Sequence, residues 1–248
     1  MKKLPRSFIE TSSKSLDKFI GGGFQPGSSW LFVTDHEAES AAVSAICMMS
    51  FNFVARGYPT LIMATRHSWP TSMESYRKAI PDIAETLGRA SKEGRLLVAN
   101  FFTTPKYKPI LSSELYFDSM FYSTEVVREM TNGLKAIKTG GKPIFWRLSS
   151  VSDLARHWPE GKVADTLESL LAWFHKNNAI GVATINQELA PEMLVKRMTS
   201  LFPNVAYVNT ELKENVEHNI WITKSINLKA SAMKRKFMLT SKYKVLLK

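Results

Sequence analysis

The stretch LDKFIGGGFQPGSSWLFVTDHEAESAA, residues 16–42, decides the fold of this 248-residue chain. Its three consecutive glycines, Gly21 to Gly23, permit backbone angles that other residues rarely adopt. Pro26 and Gly27 predict a turn, and the apolar run from Ser28 to Thr34 predicts a short buried strand. A tight loop and a helix should follow, so the stretch opens like a strand–loop–helix unit of an α/β domain.

The loop that follows this strand lacks the residues that bind phosphate. A working phosphate-binding loop reads GxxxxGK[ST], because glycines let backbone N–H groups close on the phosphates while Lys and the hydroxyl reach phosphate and Mg²⁺. This chain carries instead Thr34, Asp35, His36, Glu37, Ala38, Glu39, Ser40 and Ala41. The loop is acidic, which should repel phosphate.

Composition places the chain among intracellular globular proteins. Hydrophobic residues make up 44% and aromatic residues 11%, which is enough to build a core and excludes a disordered or fibrous chain. Cys47 is the only cysteine, which excludes a disulfide within the chain and an all-cysteine metal site. The apolar segment 41–55 is short and interrupted by Ser and Asn, so we predict no membrane span and a cytoplasmic location.

The net charge of +11 is concentrated at the C-terminus. From residue 224 onward the chain has no Asp or Glu and contributes +8, which leaves +3 for everything before it. The basic residues of this segment are Lys224, Lys229, Lys234, Arg235, Lys236, Lys242, Lys244 and Lys248. The basic character is therefore mostly a property of residues 224–248.

Hydrophobic periodicity predicts strands that alternate with helices over most of the chain. Predicted strands lie at 28–34, 60–65, 95–102, 143–148 and 180–185, and predicted helices at 41–56, 72–88 with a break at Pro81, 114–138, 163–177 and 191–200. This order predicts a mainly parallel sheet covered on both faces. The runs 205–208, 218–223 and 237–245 leave no room for helices between them and predict antiparallel edge strands. We find no interdomain linker and expect a single domain, 1–248, with 224–248 as basic edge strands within it.

This order of elements, together with four segments, resembles the KaiC/RadA branch of the RecA-like P-loop ATPases. The segments are LDKFIGGGFQPGSSWLFV, RLLVANFF, PIFWRLSSVSDL and IWITK. The first is the most specific, because a Leu-Asp pair, a triple glycine and a Pro-Gly turn precede the strand as they do in the family. The resemblance covers nearly the whole chain and implies a RecA-like three-layer αβα sandwich.

Matched onto the family's first motif, the chain has lost its phosphate-binding residues. Ser40 stands at the lysine position and Ala41 at the Ser/Thr position, while Thr34, Glu37 and Glu39 stand where glycines are expected. The resemblance therefore implies a degenerate Walker A motif, with charge, metal-binding hydroxyl and loop flexibility all removed.

Two further family positions are also altered. Arg66 and His67 follow the second strand, where the family places glutamates that polarise the attacking water. Ser149 closes the strand 143–148, where a Walker B aspartate would hold the metal's water shell. Asp153 belongs to the matched segment itself and is not taken as a metal ligand. Losses at three separate places imply that the fold has survived while ATP hydrolysis has been lost, with no cofactor retained.

The altered positions have exchanged their charges. Asp35, Glu37 and Glu39 are acidic where the family needs a phosphate-attracting loop, and Arg66 is basic where it needs a carboxylate. We hypothesise that intramolecular ion pairs close the former nucleotide mouth, particularly a pair between Arg66 and one of the three acids. Independent drift on two solvated loops is an equally weighted alternative, because exposed pairs contribute only about 0–1 kcal/mol.

A metal site is a weaker interpretation of the same loops. His36, Glu37 and Glu39, with His67, offer suitable ligand types, but their spacing matches no compact metal motif. A solvated acidic loop is favoured, and no metal is predicted. Trp69 follows Arg66 and His67 closely, and an exposed Trp69 would be available to contact a partner.

The first functional hypothesis is a non-catalytic RecA/KaiC-like accessory or regulatory protein. Because the family's nucleotide sites lie near subunit boundaries, the resemblance implies a homo-oligomer or a complex with an active relative. One alternative is an accessory module of recombination or repair that binds single-stranded nucleic acid. It would use Lys234, Arg235, Lys236, Lys242 and Lys244, with Phe237 and Tyr243 for stacking.

Two further alternatives remain open. The same C-terminal cations could simply solvate an edge strand, and this explanation is favoured over nucleic-acid binding. An unconventional nucleotide-binding ATPase would have to use Thr34, Ser40 and backbone N–H groups.

Overall fold

The computed structural model of the protein describes residues 8–101, 114–212, 216–227, 229–239 and 245–248. The strands are β1 (Ser29–Thr34), β2 (Thr60–Ala64), β3 (Leu96–Asn100), β4 (Glu114–Tyr116), β5 (Phe145–Leu148), β6 (Ile180–Asn186), β7 (Asn204–Leu212), β8 (Val216–Lys224), β9 (Arg235–Leu239) and β10 (Val245–Leu247). The helices are α1 (Lys14–Phe19), α2 (His36–Ala55), α3 (Trp69–Ala79), α4 (Pro81–Lys92), α5 (Ser123–Ala136), α6 (Val151–Ala155), α7 (Glu160–Lys176) and α8 (Glu192–Leu201).

The ten strands form one sheet in the order β10-β9-β8-β7-β1-β6-β5-β2-β3-β4. Strands β1 to β7 are mutually parallel, whereas β8, β9 and β10 continue the sheet beyond β7 in antiparallel fashion. This arrangement confirms the predicted α/β class with antiparallel C-terminal edge strands. We call the edge at which β1 to β7 end the carboxyl end of the sheet, and the opposite edge the amino end.

The helices cover both faces of the sheet, as its buried parallel strands require. Residues of α5, α6, α7 and α8 pack into one core cluster, and residues of α1, α2, α3 and α4 pack into clusters on the other face. Stacked aromatic rings connect the helices to the sheet. The ring centres of Phe53 of α2 and Phe145 of β5 are 4.2 Å apart, and those of Trp146 of β5 and Phe174 of α7 are 4.8 Å apart. Gly181 in β6 makes room for Trp146, because a Cβ there would lie 2.2 Å from the indole.

Two predicted elements differ from the structure. The predicted helix 114–138 is a short strand, β4, followed by a loop and then α5, because β4 pairs with β3 and this tertiary pairing overrides the helical spacing. The predicted strand 237–245 is two strands, since β9 and β10 pair antiparallel with Val245 opposite Leu239. Residues 240–244 between them lie outside the described part of the chain.

Helix α2 is the longest helix among the described residues and the most apolar. By length and composition alone it could cross a membrane, but 56% of its most apolar stretch is buried inside the protein. Ala38, Ala45 and Phe53 contribute to the core on the sheet face that α2 covers. It begins at His36, five residues before the predicted helix 41–56, and this earlier start reshapes the candidate site.

Candidate functional site

The junction between β1 and α2 contains no loop of phosphate-binding length. Strand β1 ends at Thr34, and α2 begins at His36, so only Asp35 lies between them. Residues 36–39, which the family motif would place in a glycine-rich loop, form the first turn of the helix. A cradle of backbone N–H groups requires several loop residues at this place. The local backbone therefore differs from a phosphate-binding loop in shape as well as in sequence.

The side-chain carboxylate of Asp35 accepts hydrogen bonds from backbone N–H groups at this junction. One oxygen accepts a 2.7 Å hydrogen bond from the N–H of Ala38, which caps the helix start. The other accepts a 2.7 Å hydrogen bond from the N–H of Thr210 on β7. A negative charge supplied by the protein thus sits where helix N–H groups would otherwise meet an anion.

Glu39, one turn into α2, is buried with 4% of its surface exposed. Its Oε1 lies 3.0 Å from Arg66 Nη2 and accepts a 3.3 Å hydrogen bond from the Ser150 hydroxyl. Its Oε2 accepts a 3.2 Å hydrogen bond from the Asn186 amide. The hypothesised ion pair between Arg66 and one of the three loop acids is therefore confirmed, with Glu39 as the acid. Glu37, by contrast, is exposed.

Arg66 forms a second ion pair that the sequence did not predict. Its Nε donates a 2.9 Å hydrogen bond to Oδ2 of Asp153, a carboxylate with only 4% of its surface exposed. Oδ1 of Asp153 lies 3.5 Å from Arg156 Nη1. Burial disfavours the charged guanidinium of Arg66, but the charges of Asp153 and Glu39 more than offset burial and raise its pKa above the ordinary value. Two carboxylates and two guanidiniums thus balance one another at the carboxyl end.

Hydroxyl and amide side chains fix the strand ends around these ions. The Thr65 hydroxyl, next to Arg66, donates a 2.9 Å hydrogen bond to the carbonyl of Ser150 and accepts one from its N–H. The side-chain Oδ1 of Asn186 accepts hydrogen bonds from the N–H groups of Glu188 and Leu189, which fixes the turn after β6. Thr65 joins β2 to β5, and Asn186 joins β6 to α2.

Ser149 directly follows β5, has 8% of its surface exposed, and lies beside this network rather than inside it. Its carbonyl accepts a hydrogen bond from the Thr184 hydroxyl, and its N–H donates to the carbonyl of Met63. The role of Ser149 as a former metal position stays a prediction. Thr65, Ser150, Asp153 and Asn186 were not predicted as site residues. Thr65, Ser150 and Asn186 lie within two residues of the carboxyl end of a strand, where α/β sites form, whereas Asp153 lies on α6.

The remaining loop residues contribute little to this network. His36, Ser40 and His67 are exposed, and Ala41 is half-buried. In the described residues, no three His, Cys, Asp or Glu side chains are grouped to hold a metal ion. The suggestion that Trp69 is exposed is wrong, because the side chain is fully buried at the start of α3, 6.4 Å from the ring of Tyr76.

The C-terminal basic segment carries less free charge than its sequence indicated. Lys234 forms an ion pair with Glu211 of β7, and Lys236 forms one with Glu217 of β8. The suggestion that Phe237 stacks on bases is wrong, because only 4% of its surface is exposed. Lys242, Tyr243 and Lys244 lie outside the described residues. Nucleic-acid binding by this segment stays a prediction.

Comparison with known proteins supports the fold. No family model matches the sequence, and no curated protein is significantly similar to it. The structure is similar to the KaiC-like protein PH0186 from the hyperthermophilic archaeon Pyrococcus horikoshii OT3, with a TM-score of 0.72 over 98% of this chain and 100% of that chain, at 14% sequence identity. In all, 611 chains of solved structures match significantly, this one included, so the fold assignment does not depend on one neighbour. The chain has a RecA/KaiC-like fold.

Proposed function

We propose that this protein is a non-catalytic RecA/KaiC-like accessory or regulatory protein that has lost ATP hydrolysis and ATP binding. It acts through self-association or by pairing with an active relative. The observation that carries the proposal is the ion network at the carboxyl end of the sheet, where Arg66 bridges the buried carboxylates of Glu39 and Asp153. A protein that held ATP at this end would need these groups for the nucleotide, not for one another.

The charges at the carboxyl end oppose a bound triphosphate. Glu39 is buried at a position that the family motif gives to a glycine, and Asp35 already holds the helix start. Two like charges about 4 Å apart repel by about 4 kcal/mol at an effective dielectric constant of about 20. The chain also has serine and alanine at the matched lysine and hydroxyl positions, so these positions supply no cation for the phosphates, and Arg66 is already paired with Glu39 and Asp153.

Exposed apolar side chains at the same end support a role in assembly. Met120 follows β4 and is 83% exposed, and Met193 follows β6 and is 67% exposed. Tyr122, Val216 and Met238 are further exposed apolar residues at the ends of elements on this side. Five of the eight large apolar side chains that are exposed in the described residues thus lie at this end, and these are the side chains that we expect a partner protein to contact.

The proposal is tested by light scattering coupled to size-exclusion chromatography, with and without Mg·ATP. We expect a mass above that of the monomer, for the chain alone or mixed with RecA/KaiC-like proteins of the source cell, and the same mass when Mg·ATP is added. Met120→Ser with Met193→Ser should weaken the assembly. Ile226→Ser with Met233→Ser is the matched control and should not, because Ile226 follows β8 at the amino end. A monomer in every mixture, or an assembly that forms only with Mg·ATP, would contradict the proposal.

A further inference from the structure

Basic side chains that form no ion pair among the described residues also lie at the amino end of the sheet, away from the ion network at its carboxyl end. An open groove of about 870 Å³ lies there, between the last turns of α5 and α7 and the chain that leads into β5. Lys135, Lys142, Trp173, Asn177 and Asn178 line it, over a floor that includes the buried side chain of Ile144. Its size lies within the range of ligand-binding clefts.

Lys135 and Lys142 line this groove, and Arg56 lies beside it, over the ring of the lining residue Tyr58. Arg56, Lys135 and Lys142 take part in none of the ion pairs between described residues, whereas Lys234 and Lys236 at the C-terminal segment are both paired. Arg56 instead donates to the backbone carbonyl of Glu10 at 2.6 Å. These side chains therefore keep a net positive charge that is open to an anionic ligand.

The ring of Tyr58 holds two of these cations in place without neutralising them. The Arg56 guanidinium carbon lies 5.2 Å and the Lys142 ammonium 5.1 Å from the centre of this ring. Lys142 also donates a 2.7 Å hydrogen bond to the carbonyl of Arg56. The two positive charges are thus fixed next to each other, which favours a ligand whose negative charges recur at short intervals.

Trp173 gives the groove an aromatic surface beside these charges. The indole is half-buried on α7 and packs edge-on against Phe174, with ring centres 5.8 Å apart. Asn177 and Asn178, which follow the end of α7, are exposed and supply amide donors and acceptors. Cations along a groove with an aromatic face next to them are the features that bind the phosphates and bases of single strands.

We propose that this groove at the amino end binds single-stranded nucleic acid. Arg56, Lys135 and Lys142 contact the phosphates, and a base stacks on Trp173. This inference goes beyond the proposed accessory function and moves the expected nucleic-acid surface from the C-terminal segment to the opposite end of the parallel strands.

The test compares two double substitutions that each remove two positive charges. Lys135→Gln with Lys142→Gln changes the groove, and Lys234→Gln with Lys236→Gln changes the C-terminal segment. All four side chains are exposed, so both variants should fold, which circular dichroism checks. Binding is measured by fluorescence anisotropy with labelled oligothymidylate and oligouridylate at several salt concentrations.

We expect the unmodified protein to bind with a slope of log affinity against log salt of about −2, since three phosphate contacts on a single strand each contribute about −0.7. The groove variant should bind at least about tenfold more weakly, with a slope nearer zero, and the C-terminal variant should bind almost normally. Trp173→Ala should weaken binding by about tenfold through lost stacking.

Three results would overturn the proposal. The first is an absence of salt-dependent binding by the unmodified protein, which would leave Lys135 as a cation that merely suits the last turn of a helix. The second is an equal loss in both double variants. The third is equally tight binding of a polyglutamate peptide that is insensitive to Trp173→Ala, which would assign the groove to acidic polypeptides.

Discussion

The two ends of the sheet differ in whether their charged side chains form ion pairs. At the carboxyl end, the buried carboxylates of Glu39 and Asp153 are paired with Arg66, and Arg156 lies near Asp153, so these four charges balance one another. At the amino end, Arg56 and Lys142 rest on an aromatic ring and keep their charge. The net charge of +11 alone therefore does not indicate where an anionic ligand would bind. The positions of basic side chains that form no ion pair are more informative. At the end where α/β sites usually form, the two buried acids and the two guanidiniums are paired with one another, whereas at the other end Arg56 and Lys142 form no ion pair with a described acid.

Removal of Arg66 is the largest disturbance that this comparison predicts. Arg66→Ala leaves two nearly buried carboxylates without their shared cation, and the loss of one partner from a buried ion pair costs about 3–5 kcal/mol. Since Arg66 is itself partly exposed and Arg156 stays near Asp153, we expect about 3 kcal/mol in the free energy of unfolding. Urea denaturation monitored by circular dichroism measures this change.

Two control variants show whether the loss comes from unpaired charge. Lys78→Ala removes a fully exposed ion pair with Glu74 and should leave the free energy of unfolding almost unchanged. Arg66→Met combined with Glu39→Gln and Asp153→Asn removes all three charges and should recover most of the stability. If Arg66→Ala were as mild as Lys78→Ala, the carboxyl end would not be held closed by its ion pairs.

Asp35 should make a smaller contribution to the same end. Asp35→Ala removes the acceptor for two N–H groups, those of Ala38 and Thr210, and loss of a helix cap typically costs about 0.5–2 kcal/mol. We expect about 1–2 kcal/mol, because the N–H of Thr210 is affected as well. The measurement is again urea denaturation. The control is Glu37→Ala, which removes an exposed acid in the same turn and should change the free energy of unfolding by less than about 0.5 kcal/mol. Equal losses in the two variants would assign the effect to negative charge near the helix start rather than to the cap.

The sequence predicted the strands and the presence of an ion pair at the carboxyl end, but not which acid forms that pair. Continuous apolar runs such as 60–65 predicted the parallel strands, and the exchanged charges of Glu39 and Arg66 predicted an ion pair. The choice among the three loop acids needed the start of α2, since a helix from His36 turns Glu39 inward and leaves Glu37 in solvent. A signal was present: Asp35 followed by acids at 37 and 39 is typical of a helix N-terminus.

The rest depended on contacts between residues far apart in the chain. Asp153 is 87 residues from Arg66, and nothing in local periodicity indicates that pairing. The edge strand β4 was predicted as helix because its pairing with β3 is also non-local. For the same reason, a count of lysines could not separate Lys236, which pairs with Glu217 on the neighbouring strand, from Lys142, which does not pair with an acid in the described part of the chain.

The smallest effect, on Mg·ATP binding, should come from introducing the lysine and the hydroxyl residue of the phosphate-binding motif. Ser40→Lys with Ala41→Thr supplies the lysine and the hydroxyl, yet we expect no saturable heat of Mg·ATP binding by isothermal titration calorimetry. The reason is geometric, because the helix still begins at His36, where the motif needs a loop, and Arg66 still pairs with Glu39. The same double substitution combined with Glu39→Gly and Arg66→Glu removes that ion pair and tests whether the helix start alone keeps ATP out. Saturable Mg·ATP binding by the first double variant would contradict the prediction that the helix start and the Arg66–Glu39 ion pair prevent nucleotide binding at the carboxyl end.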